Sequence, residues 1–166
     1  MYADRFALDY IQLHGNESPG YCRSLRSNGL HLIKAFSISQ SKDLATVSDY
    51  KGLCDYYLFD AKTSLYGGSG NQFDWNLLHR YSGMTPFLLS GGINPYSVKA
   101  IREFHHPKLA GIDINSRFET APGIKDVERI SNFLKDSREV RFDDLLFTIW
   151  LRNIRRMANC TLYMVN

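Results

Sequence analysis

The chain has 166 residues, 44% of them hydrophobic and 22% charged, and a formal net charge of +3. That length suits one compact domain, and that balance excludes a disordered chain or one built to sit in a bilayer. No run approaches the roughly 18 apolar residues of a membrane span, and the opening MYADRFALDY lacks the basic-then-apolar design of a secretory signal, so a cytoplasmic protein with no membrane partner is expected.

Residues 137–166 hold five Arg against three acids, which leaves 15 basic and 14 acidic residues for the remainder. A near-neutral body argues against nucleic acid as a partner. Cys22, Cys54 and Cys160 are odd in number and show no C-x-x-C spacing, so no disulfide framework and no metal site is expected.

Five segments rich in β-branched, aromatic or Leu residues recur along the chain: DYIQLHG at 9, HLIKAFSI at 31, YYLFDAK at 56, PFLLSGG at 86 and AGIDINS at 110. Helix-like stretches lie between them, with Ser18 and then Asn94 as caps and Pro19 and Pro95 at the first helical positions. The rhythm predicts an α/β fold with a parallel sheet, because each strand must return through a crossover. Strands apolar at nearly every residue are expected to be covered on both faces.

Each segment begins apolar and ends polar: Gln12 and His14, Lys34, Asp60 and Lys62, Ser90, then Asp113, Asn115 and Ser116. In parallel α/β folds the carboxyl ends of the strands form the active face, so five strands are expected to deliver these groups to one rim. The stretch LLSGGINP puts Gly91 and Gly92 between a strand and a helix start, where backbone N–H groups can approach an anion. With Asn115 and Ser116 ending the next strand, the pair of loops predicts a phosphate site; a tight turn with no ligand is the plainer alternative. The run Tyr66-Gly67-Gly68-Ser69-Gly70 is no nucleotide P-loop, since no Lys-Ser/Thr pair follows its last glycine. It reads as a loop closing over a small ligand above Asp60, although Asp60 as a purely structural carboxylate remains open.

After residue 136 the pattern changes. Phe142, Leu145, Leu146, Ile149, Trp150 and Ile154 stand near helical spacing, with Arg152, Arg155 and Arg156 close by. Residues 137–166 are therefore expected to be an amphipathic tail set apart from residues 1–136, either packing on the core or binding a surface or partner.

The segments LDYIQLHGNES, LFDAKTSLYGGSGNQFDW, PFLLSGGINP and GIDINSRFETAPGIKD closely resemble those of the phosphoribosylanthranilate isomerase family of tryptophan biosynthesis, in a Bacteroides-like form, over residues 8–135. The resemblance implies a TIM barrel, of which this chain would hold about five βα units, strands 4 to 8 of the family's eight, plus an extra C-terminal helix. It implies an Amadori rearrangement of N-(5-phosphoribosyl)anthranilate, a phosphosugar substrate, without metal or cofactor. By motif, Asp60 is the general acid, Gln12 and His14 line the substrate, and Gly91, Gly92, Asp113, Asn115 and Ser116 hold the phosphate. The family's base cysteine, in a K-I-C-G strand, and an arginine of the second unit match nothing in the 166 residues. The chain is accordingly read as an N-terminally truncated member, with self-association through open barrel edges expected and native-level turnover not expected. A non-catalytic phosphate-ligand-binding or self-associating remnant is the alternative.

Overall fold

A computed structural model describes residues 8–61 and 75–137; the glycine run at 66–70, Lys62, Cys160 and the amphipathic tail with Trp150 lie outside the described residues. Five strands, β1 Ile11–Leu13, β2 Leu32–Ile38, β3 Tyr56–Ala61, β4 Phe87–Ser90 and β5 Leu109–Ile112, form one sheet in the order 1-2-3-4-5. All four pairings are parallel. Each predicted segment supplies one strand.

Helix α1, Pro19–Ser27, begins as the sequence dictates: Ser18 Oγ accepts from Tyr21 N at 3.2 Å and Pro19 occupies the first turn. Asn94 accepts from Tyr96 N at 2.8 Å and opens a 3₁₀ turn, Pro95–Ser97, that runs into α2, Val98–Glu103. Between β2 and β3 the expected α-helix is replaced by 3₁₀ turns over Ser41–Tyr50. Thr46 and Ser48 explain the tighter winding. Each hydroxyl bonds a carbonyl three residues back, Asp43 O at 2.9 Å and Ala45 O at 2.8 Å, in a stretch of poor helix formers. Two further 3₁₀ segments follow the same pattern of short turns: Trp75–Arg80 precedes β4, and Ser116–Phe118 leads into the hairpin β6 Glu119–Ala121 and β7 Ile124–Lys125. Helix α3, Val127–Ser137, closes the described chain.

Alternation along the strands creates two apolar layers. The outer layer joins Leu13, Leu32, Tyr57, Phe59, Phe87 and Leu89 to Cys22, Val47, Leu78, Ile101 and Phe133 from the helical segments. The inner layer is small, with Ala35, Leu58 and Leu88 packed beside Ile33 and Ala110. Phe59 is fully buried at the centre of an aromatic cluster, its ring 4.9 Å from Phe87 and 5.1 Å from Tyr81.

At the opposite end from the strand carboxyl termini, Asp55 ties three elements together. It accepts from Leu32 N at 2.8 Å and from Arg26 at 3.1 Å, with His31 Nδ1 at 3.4 Å. Burial works to raise its pKa, but these donors outweigh burial and hold the carboxyl below its ordinary 3.8. A depressed folded-state pKa contributes stability above the unfolded value that is lost as pH falls through the folded one. Asp55→Asn is therefore expected to lower Tm at pH 6 and to converge with the parent protein well below pH 3.8; parallel Tm curves across that range would contradict the assignment.

Candidate functional site

The inner face of the sheet turns polar at the carboxyl ends of its strands. Asp60 of β3 stands in register between Ser37 of β2 and Ser90 of β4, and Ser90 Oγ donates to Asp113 Oδ2 at 2.9 Å. The result is a row of Ser37, Asp60, Ser90 and Asp113 across four strands. Gln12 pairs with inner-layer Ile33, and its Nε2 is 3.1 Å from His14 Nδ1. Asp60, Lys125 and His14 all act electrostatically on Asp113, so β1, β3, β5 and the β6–β7 hairpin converge on one place.

Asp113 reaches this face only through an irregularity in β5. Phe87 pairs with Leu109 but Leu88 with Gly111, so Ala110 is an extra residue in the ladder. Strict alternation would put Asp113 on the same outer layer as Leu109; the bulge shifts the phase and turns it inward. Gly111 permits the close approach, since a Cβ there would come 3.2 Å from Leu88 Cδ2.

Asp113, expected among the phosphate residues, is tied into the sheet by its own hydrogen bonds. Its N–H donates to Leu89 O at 2.8 Å, and its carboxylate already accepts from Ser90. Burial first, and then the nearby Asp60 charge, push the Asp113 pKa up against the opposing effects of Ser90, Lys125 and His14. A raised folded-state pKa means that the ionised carboxyl weakens the fold at neutral pH and that the penalty fades as pH falls through that pKa. Asp113→Asn is expected to raise Tm at pH 7, with the gain shrinking toward the ordinary Asp value of 3.8. An unchanged Tm at pH 7 would contradict this account.

The other expected phosphate residues lie together at the ends of β4 and β5. Gly91 and Gly92 have φ of 85° and 70°, a region that favours glycine, and nothing stands within 4 Å of a Cβ built on Gly92. Asn115 and Ser116 are exposed on the neighbouring loop. Lys125, which sequence reasoning missed, donates to Asn115 Oδ1 at 2.6 Å and to Glu119 Oε1 at 2.7 Å. An amide whose oxygen is held by a cation turns its NH₂ group elsewhere as a donor. Ser37 was also missed, because a serine in an apolar strand carries no pattern of its own.

Lys34 corrects the expectation for the rim. Odd–even phase places it on the outer layer, 3% exposed, away from Asp60. Cys22 and Cys54 lie in the same outer layer as buried free thiols, and burial followed by the adjoining Cys22 pushes Cys54 to about 12. Burial raises the pKa of both thiols, which keeps them in the protonated, weakly nucleophilic form. Among the described residues no group of three or more His, Cys, Asp or Glu could hold a metal ion, and no helix is long and apolar enough to cross a membrane.

Sequential parallel βα units with carboxylates and a glycine loop at the carboxyl rim define an α/β protein of the barrel type. The profile of the family N-(5'-phosphoribosyl)anthranilate (PRA) isomerase matches residues 2–136. The chain belongs to that family. It is 53% identical over 133 residues to the isomerase of Parabacteroides distasonis, covering 80% of this chain and 60% of the relative. It is 50% identical over 137 residues to that of Phocaeicola vulgatus, covering 82% and 67%. The chain thus spans about three fifths to two thirds of these relatives. The crystal structure of the Thermotoga maritima isomerase superposes with a TM-score of 0.70 at 34% identity, over 82% of this chain and 64% of that one. An isomerase in complex with reduced 1-(o-carboxyphenylamino)-1-deoxyribulose 5-phosphate superposes with a TM-score of 0.67 at 29% identity, over 82% and 62%. The match supports the reading of the described residues as part of a (βα)8 barrel.

Proposed function

We propose that these residues form the acid-bearing and phosphate-bearing part of a phosphoribosylanthranilate isomerase site, acting in tryptophan biosynthesis on N-(5-phosphoribosyl)anthranilate. The observation that carries this reading is the inward row of Ser37, Asp60, Ser90 and Asp113 beside the Gly91-Gly92 loop. In the reaction Asp60 gives its proton to the furanose ring oxygen, the C1–O bond breaks onto that oxygen, and the anilino nitrogen's lone pair forms an iminium. Loss of the C2 proton to a base returns electrons to nitrogen, and the enol so formed tautomerises to the aminoketose, leaving composition unchanged. The described cysteines are on the wrong layer to be that base.

Phosphate is the remote handle, bound by backbone N–H groups of the Gly91-Gly92 loop and by Asn115 and Ser116. Asp113 acts instead as the second carboxyl of the reacting region. The reading includes a cytoplasmic location, no nucleic-acid partner, and pairing with a second copy through the outer edges of β1 and β5, each of which has one strand neighbour among the described residues. A further Thermotoga maritima structure, with a TM-score of 0.66 at 30% identity, is of monomers generated from a dimeric phosphoribosylanthranilate isomerase.

Inorganic phosphate is expected to raise the Tm of the full chain, and Gly92→Ala to abolish most of that rise, because φ near 70° strains any residue with a Cβ. Absence of a shift at saturating millimolar phosphate in the parent protein would remove the anion site.

A further inference from the structure

Lys34 is the one fully buried charged side chain among the described residues. Its Nζ donates to Gly15 O and to Ala35 O, each at 2.8 Å, and stands 3.2 Å from Glu17 Oε2. The rings of Phe36 and Tyr50 face the ammonium at 5.2 and 5.9 Å. Glu17 in turn accepts Gly15 N on both carboxylate oxygens, at 3.0 and 3.1 Å, and its own carbonyl accepts from Tyr50 OH at 2.8 Å. Both peptide groups of Gly15 are therefore held, one by the anion and one by the cation. The first of them is the peptide that joins His14 to Gly15.

Stability alone is a poor reason for this arrangement. Desolvating an ion pair costs several kcal/mol per ion, and an apolar pair of similar volume is often as stable or more so. An apolar pair has no means of fixing the direction of two peptide dipoles. We infer that Lys34 and Glu17 are positioning residues that lock the His14–Gly15 turn, so that the Gln12–His14 pair is presented to the Asp60–Asp113 row. Gly15 suits the lock: a Cβ there would meet Glu17 Oε1 at 3.0 Å. The inference rests on the proposed site for its consequence on ligand binding, but the lock itself is testable without a ligand.

The test compares the full chain with Lys34→Met, with Lys34→Met/Glu17→Leu, and with Glu17→Gln. Lys34→Met leaves the partly buried Glu17 carboxylate without its cation and is expected to lower Tm; the double variant removes both charges and is expected to recover most of the loss. Despite that recovery, amide exchange at Gly15 is expected to be at least tenfold faster in the double variant. Its affinity for reduced 1-(o-carboxyphenylamino)-1-deoxyribulose 5-phosphate should fall about tenfold, and its affinity for inorganic phosphate should stay the same. Unchanged Gly15 exchange in a double variant of native Tm would overturn the inference. Should that variant not fold, the Gly15 exchange rate in Glu17→Gln decides, and a rate equal to the parent's overturns it. Failure of the parent protein to bind the reduced compound would overturn the proposed function, while Gly15 exchange would still decide the lock.

Discussion

Asp60→Asn is expected to remove any consumption of phosphoribosylanthranilate above the spontaneous rate. A positioned general acid contributes about 100- to 10,000-fold, and asparagine has no proton to give the ring oxygen. The substitution keeps the side chain's shape and removes one negative charge from a row that already contains Asp113. Binding of inorganic phosphate should accordingly be unchanged or tighter, because its donors sit on the β4 and β5 loops. The measurement is the fluorescence decay of the substrate beside a phosphate titration. Residual catalysis equal to that of the parent would displace Asp60 as the acid, whereas loss of phosphate binding would mean that the two parts of the site are not separate.

Phe59→Ala should have the largest effect on stability. The side chain is fully buried on the central strand and meets Phe36, Tyr57, Tyr81 and Phe87 with ring centroids 4.9 to 6.3 Å apart. Truncating a buried Phe costs about 3–5 kcal/mol, partly as lost transfer energy and partly as a cavity that close-packed rings refill poorly. Against a total stability of roughly 5–15 kcal/mol, that is a large fraction of what holds a typical domain folded. Asp60 is the next residue, so the row of Ser37, Asp60, Ser90 and Asp113 is expected to fail with it. Urea unfolding gives the number; a loss below about 1 kcal/mol would show that the aromatic cluster repacks.

Much of this architecture was legible in the order of residues. The five apolar segments each became a strand, and Ser18 and Asn94 each capped the helical turn beside it, because short oxygen-bearing side chains satisfy the first N–H groups of such a turn. Asp60 could be placed at a rim because a strand's carboxyl end is marked by where its apolar run stops. The 3₁₀ winding of Ser41–Tyr50 was less legible, since it depends on which carbonyls the Thr46 and Ser48 hydroxyls reach.

Face was the quantity that local pattern could not supply. Strands apolar on both sides show no alternation from which to read phase. Lys34 and Asp60 therefore look equivalent in one dimension, both polar residues in apolar strands. Pairing of β2 with β3 separates them: Ser37 lies beside Asp60 on the inner layer, and Lys34 lies beside Tyr57 on the outer one. Asp113 depends on a still less local event, the extra residue in β5 that register with β4 forces at Ala110. Composition and order of segments thus decide the class of fold and the end of the sheet at which chemistry gathers, because both depend on where apolar runs begin and end. Which side chains share that site is decided by inter-strand register, because a shift of a single residue carries a side chain from one face of a sheet to the other.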